Sequence, residues 1–244
     1  GVMNTIRINA KAAKMVAHRG LSGIEQENTC AAFVAAGNRS YYGIETDIRV
    51  TADGEYVAFH DDDTRRVGLD RLVVEETTFL TLRGLLLAER ETSRRGRSDL
   101  RIPTLKEYVG ICKTYEKECV LELKNRISPD HISRIVEIIR EAGWLERVTF
   151  ISFDLQNLVN LRQLLPDQKL QYLTADVSGE TIAVLNTYGM DLDVLYTCLN
   201  PENIKTIHAA GHKVNCWTVD DPAIAEQLAD WGVDFITTNI LEAK

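Results

Sequence analysis

Eight short apolar or β-branched runs, separated by helix-patterned stretches, constrain this chain more than any other feature of it. The runs are MVAH (15–18), GIETDIRV (43–50), CVLELK (119–124), VTFISF (148–153), LQYLT (170–174), DVLYT (193–197), KVNCWTV (213–219) and DFITT (234–238). Between them lie ENTCAAFVAAG, PTLKEYVGICKTY, SPDHISRIVEIIREAG, DLQNLVNLRQLL, SGETIAVLNTYG, NPENIKTIHAAG and DPAIAEQLADWG. These stretches carry N-cap residues, prolines at the first helical position and closing glycines. Such alternation needs a parallel sheet, because parallel neighbours are joined by crossover helices. Eight strands close into a barrel with a filled interior, so the expectation is an α/β fold, a (β/α)8 TIM barrel, with residues 1–244 as one domain. An open doubly wound sheet is the alternative, but no G-x-G-x-x-G follows any strand. Residues 61–102 break the alternation and read as an insertion over the barrel mouth after the second strand. Six residues follow Thr238, so the eighth helix is truncated or absent.

The stretch GIETDIRVTADGEYVAFHDDD (43–63) reads as two strands around a turn, yet it carries charge where a buried strand should carry leucine. Glu45 and Asp47 are two apart and share a side. If Asp53-Gly54 is a two-residue turn, the register sets Asp47 opposite His60. In a barrel, chemistry collects at the C-terminal strand ends. There the chain offers His18 and Arg19, Glu45 and Asp47, Glu122 and Lys124, and Trp217. Three inward carboxylates would repel one another and resist burial unless a cation joins them. With oxygen ligands alone that cation is hard, Mg²⁺ or Ca²⁺. Arg49, on the same face as Glu45 and Asp47, is a ready ion-pair partner for them.

A net charge of −8 argues against a nucleic-acid partner. The five cysteines have no C-x-x-C spacing and read as reduced core residues. No apolar run is long enough for a membrane span, and GVMNTIRINAKAAK has no signal-peptide core, so the expected location is cytoplasmic and stable membrane insertion is not expected. His131, His208 and His212 fall on helices or their ends and read as solvated, as does the RRGR run at 94–97. Asn28 either caps the first helix or orients a site group.

VAHRG, ENTCAAF, GIETDIRVTADGEYVAFHD, IPTLKEY, LELK, NCWTVDD and WGVDFITTN occur in the order of the motifs of the glycerophosphodiester phosphodiesterase family, which the chain resembles from about residue 15 to 240. The resemblance implies a metal-bearing barrel that hydrolyses a small-molecule glycerophosphodiester to glycerol 3-phosphate and an alcohol. It implies that Glu45, Asp47 and Glu122 hold the divalent ion, that His18 and His60 transfer protons, and that Arg19 and Lys124 bind the phosphate oxygens, with Trp217 and Asn28 as further substrate-binding candidates. It also implies attack by the substrate's own glycerol 2-hydroxyl, giving a cyclic phosphate that water opens. The segment HDDDTRRVGLDRL departs from the family's pattern, which leaves the alcohol open. Two other readings are a phosphodiesterase of phospholipase D type acting on lysophospholipids and a non-catalytic binding barrel.

Overall fold

The computed structural model describes residues 4–244. In chain order its elements are β1 (Ile6–Ile8), β2 (Lys14–Ala17), α1 (Cys30–Gly37), β3 (Gly43–Val50), β4 (Tyr56–Ala58), α2 (Arg65–Gly68), α3 (Phe79–Gly84), α4 (Leu105–Thr114), β5 (Glu118–Leu123) and α5 (Pro129–Glu141). There follow β6 (Val148–Ser152), α6 (Leu155–Leu164), β7 (Lys169–Thr174), α7 (Gly179–Tyr188), β8 (Asp191–Leu195), α8 (Pro201–Ala209), β9 (Val214–Trp217), α9 (Pro222–Asp230), β10 (Phe235–Thr238) and β11 (Leu241–Ala243). Strands β2, β3, β5, β6, β7, β8, β9 and β10 pair in parallel, and β2 with β3 closes the ring. The fold is a (β/α)8 barrel.

The helices form where their caps and apolar stripes agree. In α5, Ser128 accepts from the His131 amide, Pro129 opens the helix, and Ile132, Ile135, Val136 and Ile139 face inward at helical spacing. Thr104 and Glu107 close a capping box on α4, and Gly189, with φ 64°, ends α7 in the left-handed region. No helix follows β10. The last residues form β11, which pairs in parallel with β1; β1 touches α9 and β11 touches β2, so this ribbon lies on the outer wall beside the first barrel strand. Among the described residues no helix is long and apolar enough to cross a membrane.

The hairpin differs from its expected register. Thr51 donates to the Glu55 carbonyl at 2.8 Å and Gly54 to the Thr51 carbonyl at 3.0 Å, so the turn is the three-residue loop 52–54 with Gly54 at φ +81°. A left-handed glycine after such a turn adds one residue to the loop and shifts the pairing. Ile48 therefore pairs with Ala58, and Phe59, not His60, donates to the Asp47 carbonyl at 2.9 Å. His60 lies one residue beyond.

Residues 61–102 build a small core of their own, in which Val67, Val74, Leu82, Leu85, Leu87, Leu100 and Ile102 pack on Val57 and Phe59 of the hairpin arm. The RRGR run is pinned rather than loose. Arg95 donates to the Gly68 carbonyl at 2.7 Å, and Arg97 pairs with Glu25 at 2.6 Å. Cys112, Cys119 and Cys216 are buried and Cys30 and Cys198 half-buried, all five free. His208 is exposed yet pairs with Asp234 at 2.8 Å, and His131 and His212 are half-buried and bonded, to the Tyr56 hydroxyl and to Asn186.

Candidate active site

The pairing of β3 with β5 sets Asp47 beside Glu122, and the strand pleat turns Glu45 to the same interior face. One oxygen from each of Glu45, Asp47 and Glu122 lies within 4.8 Å of the others, and all three residues are buried. Burial, then repulsion from neighbouring carboxylates, raises Glu45 and Glu122 well above the ordinary carboxylate range. Burial opposes ionisation of Asp47 too, but His60, Arg19 and Lys124 outweigh it and hold Asp47 low. Asp47 Oδ1 is buried with no hydrogen-bond partner among the described residues. An acid cluster with an orphaned oxygen, no thiol and no imidazole fits one hard divalent cation.

Side chains behind the carboxylates fix their orientation. Asn28 donates from its amide to Asp47 Oδ2 at 3.0 Å and accepts from the Thr46 hydroxyl at 2.8 Å, whereas Thr29 caps α1. Asn28 is thus a buried support of Asp47 and lines neither of the cavities described below. The Arg19 amide donates to Glu45 at 2.9 Å, its guanidinium pairs with Glu27 at 3.1 Å, and Lys124 lies 3.3 Å from Glu122. Arg49 does not pair with Glu45 or Asp47; it turns to Asp62 and Glu75, both at 2.9 Å.

The two imidazoles flank this cluster, each tied by Nδ1. His18, just past β2, lies 2.8 Å from Asn239 Oδ1. Asp220 accepts from the Asn239 amide group at 2.8 Å, so the Asn239 oxygen must face His18 and accept the Nδ1 proton, leaving Nε2 with its lone pair. Burial, and then Arg19, lowers His18 to about 4. His60 Nδ1 lies 2.6 Å from Asp61, which in turn accepts from Arg66 at 2.9 Å. Burial lowers His60, with Asp47 and Asp61 acting in the other direction. Asp61, Arg66, Glu27, Asp220 and Asn239 were not anticipated from the sequence. Asp61 directly follows His60, whereas Asn239 closes the WGVDFITTN run and meets His18 only across 221 positions of the chain.

Two cavities meet at His18 and Arg19. The inner one, about 150 Å³, contains the carboxylates, His60 and Lys124 and is walled by Phe153, Leu173 and Trp217. Trp217 packs edge-on against Phe153 with centroids 5.8 Å apart. The outer one, about 1270 Å³, runs under residues 90–94 of the insertion, and Val67 and Ile240 are the apolar side chains among its lining.

The barrel is similar to solved phosphodiesterases. It matches one from Oleispira antarctica, solved in complex with the product sn-glycerol-3-phosphate, with a TM-score of 0.85 and 27% identity over 93% of each chain. It matches a glycerophosphodiester phosphodiesterase from Parabacteroides distasonis with a TM-score of 0.79 and 28% identity, over 96% of this chain and 94% of that one. The class is therefore a phosphodiesterase built on a (β/α)8 barrel. The sequence model of the glycerophosphoryl diester phosphodiesterase family matches residues 18–243, and the chain belongs to that family. The glycerophosphodiester phosphodiesterase of Caldanaerobacter subterraneus subsp. tengcongensis is 29% identical over 233 residues, covering 92% of this chain and 93% of its own.

Proposed function

We propose that the chain hydrolyses glycerophosphodiesters to glycerol 3-phosphate and an alcohol, with Glu45, Asp47 and Glu122 holding one divalent cation, Mg²⁺ or Ca²⁺, and His18 and His60 moving protons. The observation that carries this reading is the meeting of three buried carboxylates and two Nδ1-anchored imidazoles on one small cavity. The cation, when bound, draws charge from the phosphate oxygens. Arg19 and Lys124 neutralise the non-bridging oxygens, which otherwise repel a nucleophile. His18 Nε2, lacking a proton, takes one from the attacking glycerol 2-hydroxyl. As the new phosphorus–oxygen bond forms and the bond to the alcohol breaks, the imidazolium form of His60, supported by Asp61 at Nδ1, gives its Nε2 proton to the departing oxygen and becomes neutral. Water then opens the cyclic phosphate with the two roles exchanged. The outer cavity, with its charged and polar lining, takes the leaving alcohol, and this polarity favours a small headgroup over the acyl chain of a lysophospholipid.

The test separates protons from metal. Positioned proton transfer is worth about 10² to 10⁴ in rate. His18→Ala and His60→Ala should therefore each lower kcat at least about 10²-fold with metal content intact, whereas Glu45→Ala should lose the metal. A nitrophenyl leaving group needs no acid, so His60→Ala should be far less impaired on such an ester. Full turnover by a chelator-treated, metal-verified-empty sample, or near-normal kcat in either histidine variant on the natural diester, would overturn the reading.

A further inference from the structure

The inner cavity holds a buried carboxyl that the chemistry above does not use. Asp193, on β8, is 2% exposed and lines the wall of the cavity formed by Ile151, Phe153, Leu173 and Trp217. No donor among the described residues reaches its Oδ1. The neighbouring polar groups of the barrel interior are satisfied by one another. Asn215, its register partner on β9, donates to Gln171 at 3.0 Å and accepts from Thr237 at 3.0 Å. The Trp217 indole donates to the Asp193 backbone carbonyl at 3.3 Å and not to its carboxyl. Burial alone pushes the Asp193 carboxyl up to about 8, so near neutral pH it is largely the protonated acid, able both to donate and to accept.

A buried polar group without a partner destabilises a fold, and among the described residues nothing offsets that for Asp193. The group it can satisfy must therefore come from the cavity. A space of about 150 Å³ has room for a few non-hydrogen atoms beyond a phosphate at the carboxylate cluster, and its apolar walls suit C–H groups. We infer that Asp193 is a specificity-determining residue that hydrogen-bonds the terminal hydroxyl of the substrate's glycerol unit, the hydroxyl not involved in attack. This rests on the glycerophosphodiester reading above and names the residue that would recognise the retained alcohol from inside the barrel.

The experiment compares a glycerophosphodiester with its analogue in which that terminal hydroxyl is replaced by hydrogen, the 2-hydroxyl being kept. A site built around a substrate hydroxyl rejects the analogue lacking it by up to about 10⁴ to 10⁵. Wild type should prefer the natural diester by at least about 10²-fold in kcat/KM. Asp193→Leu should reduce this preference to below about tenfold, by slowing the natural substrate and not the analogue, while melting no lower than wild type because it removes an unpaired buried carboxyl. If Asp193→Leu does not fold, Asp193→Ala serves the same comparison. As a second readout, the extra thermal stabilisation by glycerol 3-phosphate over inorganic phosphate should vanish in the variant. Wild type that hydrolyses the natural diester but treats the two substrates alike, or a variant that keeps the wild-type preference, overturns the role of Asp193. Wild type that hydrolyses neither overturns the underlying reaction instead.

Discussion

Asp61 and Asn239 anchor the Nδ1 atoms of His60 and His18 with opposite electrostatic consequences. A carboxylate beside His60 supports the imidazolium, whereas an amide oxygen beside His18 fixes a tautomer without adding charge. The difference has a measurable sign. His18 titrates in the folded chain at about 4 against 6.5 when free, lowered first by burial and then by Arg19. Between those values the unfolded chain binds a proton that the folded chain does not. The neutral-His18 contribution is thus fully present above about pH 6.5 and is lost as pH falls toward about 4. In metal-free protein, His18→Gln should therefore lose less melting temperature than wild type when pH is lowered from about 7 to about 4.5. Thermal melts of the two proteins with equal pH slopes would show that His18 is not held neutral.

At the scale of elements, the hairpin of β3 and β4 carries Asp47 and leads into His60, the carboxylate and imidazole to which the proposed reaction gives the cation and a proton, and Arg49 fastens its outgoing arm. Its guanidinium donates to the His60 carbonyl at 2.6 Å and the Phe59 carbonyl at 3.2 Å while pairing with Asp62 and Glu75. Arg49→Met should cost about 1–3 kcal/mol by leaving those carbonyls unpaired. It should also slow turnover by up to about 10²-fold by letting His60 drift, with metal content unchanged. Arg49→Lys should recover little, because a single ammonium cannot span both carbonyls and two carboxylates. A folded Arg49→Met with normal kcat would remove this positioning role. Arg49 also marks where sequence reasoning stops. Strand β3 was legible residue for residue, since charge at alternate positions in an apolar run has few readings. Its partner's register was not, because Asp53-Gly54 fits a two-residue or a three-residue turn and the choice depends on whether Ala52 joins the loop. Glu45, Asp47, Glu122 and the two histidines could be picked out because strand ends converge in any barrel. Arg66 and Asn239 could not, because their partners are set by how the insertion and the segment after β10 fold over the mouth. Asp193 opens the DVLYT run in the sequence, whereas β8 begins two residues earlier, at Asp191, which places Asp193 inside the strand.

For the whole molecule, the site occupies the inner of two cavities of different character, which meet at His18 and Arg19. Barrel strands and their ends wall the inner cavity, while the loop after β2, the insertion, and Asp220, Asn239 and Ile240 beyond β9 and β10 wall the outer one. The insertion is tied to that loop by Arg66 with Glu27 at 2.7 Å and Arg97 with Glu25 at 2.6 Å. Removing residues 66–100 entirely would uncover Val57 and Phe59, worth about 1.5–3 kcal/mol each, along with the core they share, so that deletion should cripple the fold. A smaller change isolates function. Residues 91–94 line the outer cavity and contribute nothing to that core, and shortening a surface loop changes closure entropy by well under about 1 kcal/mol. Replacing 91–94 by two glycines should therefore leave melting nearly unchanged and leave hydrolysis of a nitrophenyl ester, whose leaving group needs little recognition, close to wild type. The ranking of choline, ethanolamine, inositol and glycerol diesters by kcat/KM should shift, because the wall that meets those headgroups has moved. If the shortened protein kept the wild-type ranking across all four, the outer cavity would not be where the leaving alcohol binds, and the headgroup would have to be recognised within the barrel mouth itself.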